Sequence, residues 1–250
     1  MFLAHLVDDP EWDDILGSYG SMPAPVSQAC KAIADEVEAN PDKFIRLTYE
    51  ARWIRCRERI AKLIGARVDE CVLVPNTTLG VNTVLRNIDW KKGDVIIKST
   101  ALIVFSAGSG LKCSAANVTY DAVDRMAHYI ADTSPHPTLE TIDIGPPYTV
   151  DGIFKAFEGI FRKAQSSLDY VALTEQGERP KIVVIVDALT SIPGLLIPWE
   201  RIVEFCKSHD NVWTVIDAAH AVGQIVGIDL NKTQPDFFVS VGSISRNTTG

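Results

Sequence analysis

The sequence predicts an α/β fold: a mostly parallel sheet with helices on both faces, preceded by an N-terminal helical arm. Three observations predict it. From residue 70 onward, short β-branched apolar runs alternate with helix-length amphipathic stretches, the pattern of repeated βαβ units. Runs such as IVVIV (182–186) are apolar at every position, which suits strands buried on both faces. Before residue 70, apolar positions recur at helical spacing with no strand between them.

In chain order, VSQACKAIADEVEAN (26–40) and the stretch from Leu47 to Ile64 read as helices. CVLV (71–74) reads as the first strand, and TTLGVNTVLRNI (77–88) as the helix after it. DVII (94–97) is the next strand and DAVDRMAHYIA (121–131) the next helix. ETIDI (140–144), KIVVIV (181–186) and WTVI (213–216) read as further strands. VDGIFKAFEGIFRKAQ (150–165) and WERIVEFCKSH (199–209) read as the helices between them. The predicted organisation is a helical arm over 1–69 and an α/β domain over 70–240.

The 250 residues are 46% hydrophobic and 22% charged, a globular balance with ample material for a core. A net charge of −8 argues against a nucleic-acid or anionic-membrane partner. Arg52, Arg55, Arg57, Arg59 and Lys62 cluster, but acidic neighbours dilute them, and they read as a solvated helix face. Five cysteines (30, 56, 71, 113, 206) are odd in number, widely spaced and without metal-ligand spacing, so reduced thiols and no metal are expected. The N-terminus lacks the basic and apolar regions of a signal peptide. The longest apolar run, ALIVF (101–105), is far short of the ~20 residues of a bilayer span. A cytoplasmic protein is the expectation.

In open parallel sheets, ligands bind beyond the carboxyl ends of the strands. Three such ends carry polar residues: PNTTLGVN (75–82), DALTS (187–191) and DAAH (217–220). Asn76, Thr77 and Thr78 open a helix, where backbone N–H groups and hydroxyls can hold an anion, or simply cap the helix. Asp187 and Asp217 follow apolar runs, and a carboxylate at a dry strand end needs a partner. A helix-capping role is the plain alternative for each, and His220 beside Asp217 favours function there. No GxGxxG or GxxxxGK[ST] loop is present, so a nucleotide or sugar-phosphate binder lacks its usual support. A phosphate cup, two acidic strand ends and a histidine suit a phosphorylated heteroaromatic cofactor such as pyridoxal 5'-phosphate.

On GSYGSMPAPV (17–26), ANPDKFIR (39–46), VPNTTLGVNTVLRNIDWKKGD (74–94), ADTSPHP (131–137), DALTSIPGLLIPWERIV (187–203) and DAAHAVGQIVGIDLNKTQPDFFVS (217–240), the chain resembles the class V aminotransferase family of pyridoxal-phosphate enzymes. Within that family it is most similar to the isopenicillin-N epimerase-like and hercynylcysteine sulfoxide lyase-like proteins. The resemblance implies the large-domain fold of pyridoxal-phosphate transferases and an amino-acid substrate. It implies C–S lyase, desulfurase-like or epimerase chemistry, and a homodimer. Position by position, it implies that Thr77 and Thr78 hold the cofactor phosphate and that Asp217 pairs with the ring nitrogen. It places His220 near the ring 3-oxygen, Tyr120 on the ring face, Asp187 and Thr190 along the site, and Ser240 at a second phosphate contact.

Three departures accompany the matches. Ile15 and Leu16 stand where the family has Asn-His before GSYG. Residues 101–118 interrupt what would otherwise read KSTTYDAV, and are expected to be an insertion. After DFFVS the family continues to His-Lys, whose lysine attaches the cofactor covalently, whereas this chain reads VGSISRNTTG (241–250). That stretch is expected to be an aberrant tail, and the family's small C-terminal domain to be missing; the insertion and the tail together suggest a faulty gene model. Covalent attachment at the usual lysine is then not possible, and the chain is expected to be inactive. The alternative is a non-catalytic isoform that acts as a binding or dimerising partner.

Overall fold

The computed structural model describes residues 24–101, 120–191 and 194–241. Ile15, Leu16, Cys113 and nearly all of the expected insertion and tail lie outside them. Two compact units divide the described residues: 24–73 with 222–232, and 74–221 with 233–241.

The first unit contains α1 (Ala24–Ala39), α2 (Pro41–Lys43), a π-helical turn (Phe44–Thr48) that runs into α3 (Tyr49–Ile64), and a 3₁₀ turn (Val68–Glu70). Asn40 caps α2 by accepting the Lys43 N–H at 3.0 Å, and Pro41 takes the first helical position, where its missing N–H leaves nothing unpaired. α3 ends at Gly65, whose φ of 61° suits glycine; a Cβ there would lie 2.7 Å from Asp229 Oδ1. Arg55, Arg59 and Lys62 are exposed, and Arg52 meets Glu36 at 2.7 Å on the surface, so the basic cluster is a largely solvated face. Arg57 differs, for it donates to the Val68 carbonyl at 2.6 Å and lies over the Trp53 ring.

CVLV (71–74) is not a strand. Apart from Cys71 its side chains are exposed, Val72 at 73%, and no strand pairs with it. A β-branched run has strand composition, but composition does not supply a hydrogen-bonding neighbour.

The second unit holds a five-stranded sheet in the order β2-β1-β3-β4-β5. The strands are β1 (Val95–Ala101), β2 (Thr138–Ile144), β3 (Ile182–Asp187), β4 (Val212–Asp217) and β5 (Phe237–Val239), every pair parallel. Its helices are α4 (Thr77–Arg86), α5 (Asp121–Asp132), α6 (Val150–Gln165), α7 (Leu168–Glu175) and α8 (Trp199–Lys207), while all but the last residue of the short α9 (Leu230–Thr233) belongs to the first unit. α4 and α5 cover one face: Val81, Leu85 and Ile88, with Val123, Ala127 and Ile130, pack on Ile96, Val183, Ile185, Val215 and Val239. The alternate residues Ile182, Val184 and Val186 are also buried, because side chains alternate across a strand and the other face is covered too. There α6 lies on β2 and β1, and α8 on β4. Phe205 of α8 meets Phe157 and Phe161 of α6 edge-on at 5.4 and 5.1 Å, and Trp199 meets Phe238 at 5.6 Å. Full burial of Phe157 contributes about 1.5–3 kcal/mol.

The chain leaves β1 for β2 on one side and then takes β3 on the other. The boundary between β1 and β3 is therefore a topological switch point, where open α/β sheets bind ligands beyond the strands' carboxyl ends.

Candidate active site

Asp187 and Asp217 end β3 and β4 and are direct register partners. Neighbouring strands lie about 4.8 Å apart, so the two carboxylate-bearing positions stand side by side on one face. Each is buried, Asp217 at 3% exposure. The Ala219 N–H donates to Asp217 Oδ1 at 3.0 Å, and no lysine or arginine among the described residues forms an ion pair with it. Burial raises the Asp217 pKa above the ordinary carboxylate range, opposed by the Ala219 amide and by the charge of His220. The Ser99 hydroxyl, from the end of β1, donates to Asp187 Oδ2 at 3.2 Å across the switch point.

α4 starts above the same edge. Gly80 lets it approach closely, since a Cβ there would lie 2.5 Å from Val239 Cγ1. Val239 is in turn the register partner of Asp217, which places the first turn of α4 beside the end of β4. Asn76 is the N-cap, and its side-chain oxygen accepts the Leu79 N–H at 2.8 Å. That oxygen serves the helix. Thr77 is 6% exposed, and its hydroxyl is buried with no hydrogen-bond partner among the described residues. Thr78 is half-buried beside it. As the first helical residues, both carry N–H groups without an intrahelical acceptor.

His220 is half-buried in the turn after β4, closed by the Ala221 N–H to the Ala218 carbonyl at 3.0 Å. The Ser240 hydroxyl donates to the Ala218 carbonyl at 2.7 Å, so its proton points to the backbone. Thr190 is buried, and its hydroxyl oxygen accepts the Leu195 N–H at 2.9 Å, closing a loop. Tyr120 is the N-cap of α5; its side chain makes no capping bond and is 40% exposed.

Asn76, Thr77, Thr78, Tyr120, Asp187, Thr190, Asp217, His220 and Ser240 all belong to the second unit. Sequence reasoning missed three neighbours. Lys98 is buried in β1 and forms an ion pair with Asp124 of α5; Ser99 follows it; Ala219 supplies the amide at Asp217. The signal for Lys98 was legible: a charge inside the run DVIIKST, which a buried strand holds only with a partner. Among the described residues no cluster of three or more metal-ligating side chains occurs.

The orphaned Thr77 hydroxyl and the buried Asp217 carboxyl are each short of a partner, one suited to an anion and the other to a cationic N–H. Those two needs fit the phosphate and the protonated ring of pyridoxal phosphate.

No protein-family model matches the chain. It is 30% identical to the L-cysteine desulfhydrase-like protein lolT1 of Epichloe uncinata over 93% of this chain and 45% of that protein. It is 28% identical to the hercynylcysteine sulfoxide lyase of Schizosaccharomyces pombe over 93% of this chain and 51% of that protein. Among solved structures, the apo cysteine desulfurase of Thermococcus onnurineus NA1 superposes with a TM-score of 0.52 and 19% identity, covering 90% of this chain and 48% of that one. This last likeness shows the fold. The chain spans about half the length of the curated relatives it matches. The chain is thus similar to L-cysteine desulfhydrase-like and hercynylcysteine sulfoxide lyase proteins, and its motifs resemble the class V group of pyridoxal-phosphate-dependent enzymes.

Proposed function

We propose that this chain is the cofactor-binding part of a pyridoxal-phosphate-dependent C–S lyase acting on a cysteine-derived amino acid. The observation that carries the reading is the meeting, at one sheet edge, of the paired Asp187 and Asp217 with the orphaned Thr77 hydroxyl. The desulfhydrase-like and sulfoxide lyase names of its relatives support the reaction class.

When bound, the cofactor supplies an electron-withdrawing ring that weakens the bonds at an amino acid's α-carbon. Asp217 holds a proton on the ring nitrogen, and the cationic ring in turn gives the buried carboxylate the partner it needs. Thr77 and Thr78 hold the phosphate with hydroxyls and first-turn N–H groups. His220 would lie near the ring 3-oxygen, Asp187 and Thr190 would line the site, and Tyr120 would face the ring. Asn76 fixes the helix start, and Ser240 is a weaker candidate because its proton is already engaged. A homodimer is the assembly that the resemblance implies.

A second reading has its own observation. Residues 241–250, where the family has His-Lys, contain no lysine. On that reading the chain would bind the cofactor without attaching it, and act as a non-catalytic partner. Titration with pyridoxal phosphate, followed by absorbance, tests the shared core of both readings. Saturable binding is expected, lost in Asp217→Ala and weakened by inorganic phosphate as competitor. Binding that Asp217→Ala leaves unchanged would sink both. Borohydride reduction separates them: a stoichiometric adduct on a single site lysine favours the enzyme, and none favours the non-catalytic partner.

A further inference from the structure

Tyr120 and the aspartates are held in the fold by different contacts. Asp187 and Asp217 are fixed by the sheet's own hydrogen bonds. Tyr120 stands at the start of α5, and the chain that joins it to β1 runs through 102–119. Its position depends on what holds the first turn of α5 to the sheet.

Lys98 does so. Its side chain, 3% exposed, donates to Asp124, whose own backbone N–H bonds back to the Tyr120 carbonyl at 3.1 Å. Lys98 is the register partner of Ile185, two residues before Asp187 on the same face. The next residue of β1, Ser99, holds Asp187 itself. Two adjacent residues of one strand thus tie down both flanks of the site. Apolar packing of Val123 and Ala127 holds α5 on the sheet, but such contacts do not fix its rotation and slide as a charged hydrogen bond does. A buried ion pair adds little net stability over well-packed apolar residues, so its value here lies in geometry.

We propose that Lys98 is a positioning residue: through Asp124 it sets the first turn of α5 and so places Tyr120 over the cofactor ring, an inference that rests on the cofactor reading above.

The test is a double-mutant cycle on the full chain between Lys98→Met and Tyr120→Ala, read as pyridoxal phosphate affinity. Inorganic phosphate affinity, measured beside it, reports the phosphate cup alone. Lys98→Met is expected to weaken pyridoxal phosphate about tenfold, to leave phosphate affinity unchanged, and to cost nothing further in the Tyr120→Ala background. Lys98→Arg is expected to restore part of the loss. Should Lys98→Met fail to fold because Asp124 is left uncompensated, Lys98→Met/Asp124→Leu replaces it in the same cycle. Additive losses, or equal losses for pyridoxal phosphate and inorganic phosphate, would overturn the proposal while leaving the cofactor reading intact. No saturable binding by the unaltered chain would mean that the cofactor reading itself has failed.

Discussion

Burial raises the affinity of the Asp217 carboxyl for its proton, while the Ala219 amide and His220 act against it. A carboxyl whose folded pKa lies above its unfolded value contributes stability that is fully present below the ordinary value near 3.9 and is lost as pH rises through the raised one. Above the raised value the ligand-free chain carries a buried charge that only the Ala219 amide and His220 offset. Asp217→Asn removes that charge and keeps the shape. Urea unfolding above the raised value is expected to show the variant more stable by about 1 kcal/mol, with the gap closing as pH falls through it. The same variant is expected to lose pyridoxal phosphate affinity. A variant less stable than the parent above the raised value would mean that Asp217 has a partner that this account lacks. The burial of Asp217 at a strand end was legible in the sequence because an apolar run ended in a carboxylate with a histidine three residues on. The charge of Lys98 inside an apolar run was legible, but its partner Asp124 was not, because a pairing between a strand and a helix is written at no single position.

α4 connects the phosphate cup to the core, and Gly80 is where its approach is closest. Gly80→Val would drive side-chain atoms into Val239, and overpacking of this kind costs about 1–3 kcal/mol. Since Val239 is the register partner of Asp217, the shift would reach the cup, and phosphate affinity is expected to fall with stability. Phe157→Ala on the opposite face should cost more, about 3–5 kcal/mol, yet leave phosphate affinity of the folded fraction unchanged. Chemical denaturation paired with a phosphate titration separates the two. The core helices and strands were legible for a shared reason: helices such as 150–165 carry a strong one-sided stripe, and strands such as β3 are apolar throughout 182–186. The failures have physical causes as well. CVLV met the composition of a strand but has no hydrogen-bonding neighbour, and α7 was overlooked because its apolar residues form no single stripe, with Leu168 90% exposed.

The division into two units gives the whole molecule a testable asymmetry. Every candidate site residue lies in the unit of 74–221 and 233–241, while α1 and α3 lie in the other. A ligand that binds the folded site stabilises it by RT ln(1 + [L]/Kd), about 2.7 kcal/mol at a hundredfold excess over Kd. Amides that exchange only through openings that release the ligand should then slow about a hundredfold. With pyridoxal phosphate present, added protection is expected over the first turn of α4, the end of β3 and the turn after β4, and not in α1 or α3. Hydrogen exchange followed by mass spectrometry resolves these segments. Inorganic phosphate in place of the cofactor is expected to protect α4 without the end of β3, because only the ring reaches Asp187 and Asp217. Protection of α1 and α3 equal to that of the strand ends would place the binding event elsewhere in the chain. Protection at α4 alone, even with pyridoxal phosphate, would reduce the site to an anion cup at a helix start and remove the aspartates from the argument.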